Sequence, residues 1–126
     1  MIIAIGSDLC NIERIQNSLD RFGERFEARV FTEIERAKAA RRPFTKAGTL
    51  AKRFAAKEAF GKALGTGVAA PATLHAVRVG HDALGKPLFE YSPALADYMR
   101  ARGLNAHLSL SDEVDYVVAF AIIEKS

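Results

Sequence analysis

The spacing of apolar residues changes several times along the chain, and each change marks an element. Residues 1–9 (MIIAIGSDL) are apolar and β-branched up to Gly6 and turn polar at Ser7 and Asp8, as a buried strand does on reaching its end. From Ile12 the period lengthens. Ile12, Ile15, Leu19, Phe22, Phe26 and Val30 recur at three and four residues, which predicts one face of an amphipathic helix. Gly23 lies inside this run and can divide it into two shorter helices. Residues 31–42 (FTEIERAKAARR) carry Thr32 and, three positions later, Glu35, a capping-box spacing, and must stop before Pro43. Residues 50–64 are rich in Ala, Phe, Leu, Lys and Glu and contain no proline. They run into Gly65 and Gly67, either of which can close a helix in the left-handed conformation.

Beyond a VAAPAT loop the alternation returns. Residues 74–79 (LHAVRV) and 88–91 predict two strands about a turn at His81, Asp82 and Gly85, and residues 93–102 a short helix ended by Gly103. Residues 105–110 and 116–123 predict a last hairpin around Ser111, Asp112 and Glu113. The order is strand, three helices, two strands, helix, two strands. It predicts an α+β fold, a mainly antiparallel sheet with a long helix packed on it.

Composition narrows the setting. At 126 residues the chain is expected to be one domain, residues 1–126, with a real core and a size that favours oligomerisation. There is no basic leader, long apolar run or cleavage pattern, so neither secretion nor a membrane span is indicated and a cytoplasmic protein is expected. The single cysteine, Cys10, has no internal disulfide partner, and no Cys or His cluster has zinc-site spacing. Cys10 is expected to be a small core residue. A net charge of +3 favours an anionic partner without by itself indicating nucleic acid.

Several residues carry candidate chemistry, each with a plainer reading beside it. Asp8 can cap the following helix or ligate a metal. Glu58 and Lys62, one helical turn apart, can form an ordinary ion pair or border a site that a second acid would complete. Arg14, Arg21, Arg25 and Arg29 form a second stripe about 100° from the apolar one. That stripe is either a solvated face paired with Glu24 and Glu27 or a grip for an acidic helix. His107 and Ser109, two apart on a strand, point to one side.

The pieces IGSDLCNIERI (5–15), FTEIE (31–35), RFAAKEAFGKALGTG (53–67), GKP (85–87) and HLSLSDEVDYVVAFAIIE (107–124) together resemble the holo-acyl-carrier-protein synthases. These are short phosphopantetheinyl transferases. The likeness covers nearly the whole chain, in the family's order. It implies transfer of the 4′-phosphopantetheine arm of coenzyme A to a serine of apo-acyl carrier protein, with release of adenosine 3′,5′-bisphosphate. By the same resemblance Asp8 and Glu58 bind magnesium and Lys62 approaches the phosphates. Gly65, Thr66, Gly67, Lys86, Pro87, His107 and Ser109 border coenzyme A, and Glu58, Lys62 and His107 are the catalytic residues that the resemblance implies. The serine proton goes to Glu58 or to a metal-bound water, a choice that the residues leave open. Arg14 would contact the acidic carrier protein, with Arg21 and Arg25 as companions.

Short members of the family assemble as homotrimers with active sites at subunit boundaries. Asp8, Glu58 and Lys62 are then expected from one subunit and Lys86, His107 and Ser109 from its neighbour. One departure is clear: many relatives have a second histidine where this chain has Asp112, so no role for that histidine is carried over. His75 and His81 match no family motif and are expected to be structural or exposed. Two other function classes are weaker. A magnesium-dependent phosphohydrolase acting on coenzyme A leaves the arginine stripe without a partner. A small basic nucleic-acid-binding module lacks an aromatic platform and leaves Asp8 and Glu58 unexplained.

Overall fold

A computed structural model describes residues Met1–Ser126. The elements in order are β1 (Ile2–Asn11), α1 (Ile12–Phe22), α2 (Glu24–Val30), α3 (Glu33–Ala40), a 3-10 turn (Pro43–Thr45) and α4 (Lys46–Leu64). They continue as β2 (Val77–His81), β3 (Pro87–Tyr91), α5 (Pro93–Ala101), β4 (Leu104–Asp112) and β5 (Tyr116–Lys125). One antiparallel sheet has the order β1-β5-β4, and β2 pairs with β3 in a separate antiparallel hairpin. The α+β expectation therefore holds.

Helix α4 is the centre of the fold. Ala47, Leu50, Ala51, Ala55, Ala56, Ala59, Phe60, Gly61 and Ala63 are all buried, so the helix is enclosed on several sides, as an element without a wide polar face must be. Its small residues let the backbone of β1 come very close. A Cβ added to Gly6 would collide with the Ala59 carbonyl and lie 2.6 Å from the Ala63 nitrogen. Phe60 fills the space beyond, edge-on to Phe89 at 5.0 Å and tilted to Tyr91 at 5.7 Å. These contacts join the hairpin to the helix.

Local signals explain most boundaries. Gly23, at φ 55, separates α1 from α2, because an L side chain is disfavoured in that conformation. Thr32 and Glu35 form both hydrogen bonds of the capping box. Helix α4 starts four residues earlier than residues 50–64 implied, because the 3-10 turn after Pro43 leads directly into it.

Two local readings need correction. Asp8 does not lie at a strand end and caps nothing: β1 continues to Asn11, whose side chain accepts from Glu13 N at 2.9 Å and caps α1. Nor is β1 buried on both faces. Gly6 and Cys10 face α4, whereas Ile3, Ile5 and Leu9 point away and are 50%, 65% and 63% exposed. On β5, Tyr116 and Phe120 lie on the same outward side, as do Asn105, His107 and Ser109 on β4. Helices cover only one face of the sheet. The other presents a contiguous apolar surface edged by polar groups.

Replacing Gly6 by alanine should force the β1 and α4 backbones apart and destabilise the protein by about 1–3 kcal/mol, measured by urea unfolding. A loss below about 0.5 kcal/mol would mean that the contact relaxes freely.

Candidate active site

Strand alternation puts Asp8 on the α4 side of β1, between Gly6 and Cys10. The close contact at Gly6 then sets Asp8 beside the last two turns of α4. Lys62 Nζ donates to Asp8 Oδ1 at 3.2 Å and to the Ser7 carbonyl at 3.0 Å. Lys62 is thus paired with the aspartate of a neighbouring strand rather than with Glu58 on its own helix. Glu58, half-buried one turn earlier, forms no side-chain hydrogen bond or ion pair. Burial pushes its carboxyl pKa up and the charge of Asp8 adds to the rise, while Lys62 and Arg14 oppose it.

Two carboxylates lie side by side, and only Asp8 is paired with the Lys62 ammonium. An unpartnered carboxylate beside a second one suits a hard divalent cation, which needs only one or two carboxylates and retains several waters. No group of three or more His, Cys, Asp or Glu side chains gathers anywhere in the chain, so Asp8 and Glu58 would be the whole protein contribution. The fit rests on the chemistry of this donor pair.

The end of α4 folds back on Gly61 directly after Lys62. Gly65 and Gly67 have φ of 88 and 62, and the amides of Gly65, Thr66 and Gly67 all donate to the Gly61 carbonyl at 3.0–3.1 Å. Gly61 itself has no room for a Cβ, which would meet the Gly67 carbonyl. Lys86 is exposed in the β2–β3 turn, where the Asp82 carboxylate accepts from Leu84 N and Lys86 N at 2.9 Å each. Pro87 opens β3.

His107 and Ser109 are exposed on the open face of the sheet, the opposite side from Asp8. Nε2 of His107 meets Glu124 Oε1 at 2.7 Å. That contact pulls the Glu124 carboxyl pKa down. One chain therefore brings together Asp8, Glu58, Lys62 and the Gly65–Gly67 turn, and holds His107 and Ser109 on the other side of the sheet.

The arginine stripe is not the self-neutralised face that its neighbours Glu24 and Glu27 allowed. Glu27 is 6% exposed and is taken by Lys46 at 2.8 Å and Arg36 at 3.9 Å. Arg14 lies 5.9 Å over the Phe54 ring and Arg21 5.3 Å over Phe22. Phe22 is half exposed among them. The four arginines form no ion pair with any carboxylate, so a partner's acidic groups would find them free.

A second cationic feature escaped the sequence reading. Lys38, Arg41, Arg42, Lys52, Arg53 and His81 line one pocket with Thr49. Arg53 is 6% exposed, donates through Nη1 to the Thr49 carbonyl at 3.1 Å, and has a buried Nε without a partner. His81 has its pKa pushed down by burial and then by Arg53, Lys38 and Lys52. The only sequence signal is the adjacent Arg41-Arg42 pair before Pro43. The other members come from α3, α4 and β2 and meet only in the fold.

Comparison with known proteins gives a consistent result. The sequence profile of the 4′-phosphopantetheinyl transferase superfamily matches residues 4–121. A holo-[acyl-carrier-protein] synthase of Aromatoleum aromaticum is 65% identical over 127 residues, covering 99% of each chain. The crystal structure of the holo-[acyl-carrier-protein] synthase of Neisseria meningitidis superposes with a TM-score of 0.93 at 43% identity, over 99% of this chain and 100% of that one. A Bacillus anthracis synthase solved in complex with CoA (3′,5′-ADP) gives 0.83 at 34% identity, over 100% and 99%.

The Glu58 environment has a stability signature. Because folding raises its pKa, the associated stability is fully present below the unfolded value and is lost as pH rises through the raised one. In the absence of divalent cations, Glu58→Gln should therefore be more stable than the parent at about pH 7, with the difference closing near about pH 4. Thermal melts at the two pH values test this. Equal or lower stability at the higher pH would show that the carboxylate is not strained.

Proposed function

The chain belongs to the 4′-phosphopantetheinyl transferase superfamily, and we propose that it is a holo-acyl-carrier-protein synthase of fatty-acid biosynthesis working in the cytoplasm as one domain. It transfers 4′-phosphopantetheine from coenzyme A to a serine of apo-acyl carrier protein. The serine oxygen forms a bond to the phosphorus bearing the pantetheine arm, the bond to the bridging pyrophosphate oxygen breaks, and adenosine 3′,5′-bisphosphate leaves with that oxygen. The observation that carries the reading is the unpartnered Glu58 beside Asp8 and Lys62.

Asp8 and Glu58 would hold magnesium, which when bound supplies charge neutralisation at the pyrophosphate oxygens. Lys62, already poised over Asp8, adds a second positive charge on the same phosphates. The serine proton passes to Glu58 or to a water that Glu58 orients. The Gly65-Thr66-Gly67 turn lets the coenzyme approach main chain. Coenzyme A carries a third phosphate, on its ribose. The cationic pocket around Arg53 has the charge to receive it.

His107 and Ser109 cannot join Asp8 within one chain, since they lie on opposite sides of the sheet. A homotrimer, in which a neighbour supplies Lys86, Pro87, His107 and Ser109, resolves this separation. It would also cover Ile3, Ile5, Leu9 and Phe120, four apolar side chains that a lone chain leaves in water. Arg14, Arg21 and Arg25, free of intrachain carboxylates, would receive the acidic carrier protein.

Intact mass of a purified apo-carrier protein, after incubation with this protein, coenzyme A and magnesium, tests the reaction. The carrier should gain the phosphopantetheine arm, and Glu58→Gln should slow the gain by at least about 100-fold. An unmodified carrier with the parent protein, across several carriers, would contradict the function.

A further inference from the structure

Of the groups lining the cationic pocket, His81 is the one whose charge can change near neutral pH. It ends β2, and its exposed side chain shares the pocket with Lys38 of α3, Arg41 and Arg42 just beyond that helix, and Lys52 and Arg53 of α4. No carboxylate lines the pocket. On the flanking elements, Asp82 Oδ1 accepts from Leu84 N and Lys86 N at 2.9 Å each, and Glu35 is held by Lys57 at 2.8 Å. Asp112 is paired with Lys52 at 3.3 Å and Glu90 with Arg78 at 2.8 Å. Neither Glu33 of α3 nor Glu58 of α4 reaches the lining. The rings of His75 and His107 meet the Arg29 carbonyl and Glu124, whereas the His81 ring has no hydrogen-bond partner. Both of its nitrogens are free for a ligand.

Charge among these groups decides which form of the ring each state favours. In the empty pocket a proton on His81 would add a positive charge to the five of Lys38, Arg41, Arg42, Lys52 and Arg53. Burial, and then the charges of Arg53, Lys38 and Lys52, push its pKa down against the weaker pull of Asp82. The neutral ring is favoured there. A phosphate dianion among the same groups reverses the local field and favours the imidazolium, which presents two N–H donors where the neutral ring has one.

We propose that His81 binds the ribose phosphate of coenzyme A and takes up a proton as the dianion enters the pocket. This rests on the reading that the pocket receives that phosphate. Solvent supplies the proton, and no bond other than the new N–H is formed. The attraction that His81 adds is fully present below the lowered pKa of the free ring and is lost as pH rises through the raised pKa of the occupied one. The lysines and arginines keep their charge throughout this range.

Titration calorimetry of the full chain with magnesium, in two buffers of different ionisation enthalpy, reads affinity and proton uptake together. The parent should bind coenzyme A at least about tenfold more tightly than 3′-dephospho-coenzyme A at about pH 7. His81→Gln, which keeps a neutral donor, should weaken coenzyme A binding by about tenfold at about pH 6 and by less than about twofold at about pH 9. At about pH 7 the parent should also take up more protons than His81→Gln with coenzyme A, and no more than it with the dephospho form. The ribose phosphate, with a second pKa of about 6, gives up its residual proton in both proteins, so the difference belongs to His81. His81→Lys, charged across the range, should bind coenzyme A more tightly than the parent at about pH 8, without the extra uptake.

A merely structural role would weaken both coenzymes alike at every pH. That result, or equal proton uptake by the parent and His81→Gln, in a parent that prefers coenzyme A, would overturn the proposal and leave the pocket reading intact. Equal binding of the two coenzymes by the parent overturns the proposal through its pocket. A parent that binds neither overturns the transferase reading, and the proposal with it.

Discussion

The approach of β1 to α4 through Gly6, Ala59 and Ala63 is the contact on which the rest of the molecule depends. With no side chain at Gly6 and only methyl groups opposite, strand and helix meet almost backbone to backbone. Asp8 is two residues beyond Gly6 on the same face of the strand, and Glu58 and Lys62 flank the same stretch of helix. The packing of small apolar residues therefore fixes the separation of the charged ones. A larger residue at the contact would move the carboxylates apart before it touched either of them.

The sheet that carries Asp8 also separates it from His107 and Ser109. Its inner face packs on α4 and is built from Val117, Ala119, Ala121 and Ile123, all nearly inaccessible. Its outer face repeats the alternation with Ile3, Ile5, Leu9 and Phe120, and ends in the His107–Glu124 pair. A strand with apolar residues on both faces has to be covered on both. Here one cover is a helix of the same chain, and the other is proposed to be a second copy. Assembly and catalysis then have a single physical origin, since the surface that requires a neighbour holds the residues that the neighbour would need.

Much of this was legible in the sequence because it depends on local spacing. The 3.6-residue period from Ile12, the break at Gly23, the Thr32–Glu35 cap and the glycines ending α4 each follow from residues within one or two turns of one another. What could not be read depends on contacts between distant segments. Lys62 finds its partner 54 residues away in Asp8 rather than four residues away in Glu58. Glu35 and Lys57 resemble surface charges in the sequence, yet they are fully enclosed, because α3 and β2 close over α4 from two sides. The Arg53 pocket collects cations from three elements. The exposure of Ile5 and Leu9 was hidden for a further reason: a strand covered by its own chain and a strand covered by a neighbour have the same composition.

The central claim, that the site is completed across a subunit boundary, is tested most directly by mixing two inactive variants, Glu58→Gln and His107→Ala, after joint unfolding and refolding. Mixed oligomers contain some boundaries with both parent residues, so the account expects carrier modification to return to a substantial fraction of the parent rate. A mixture as inactive as either variant alone, with mixed oligomers demonstrated by mass spectrometry, would contradict it.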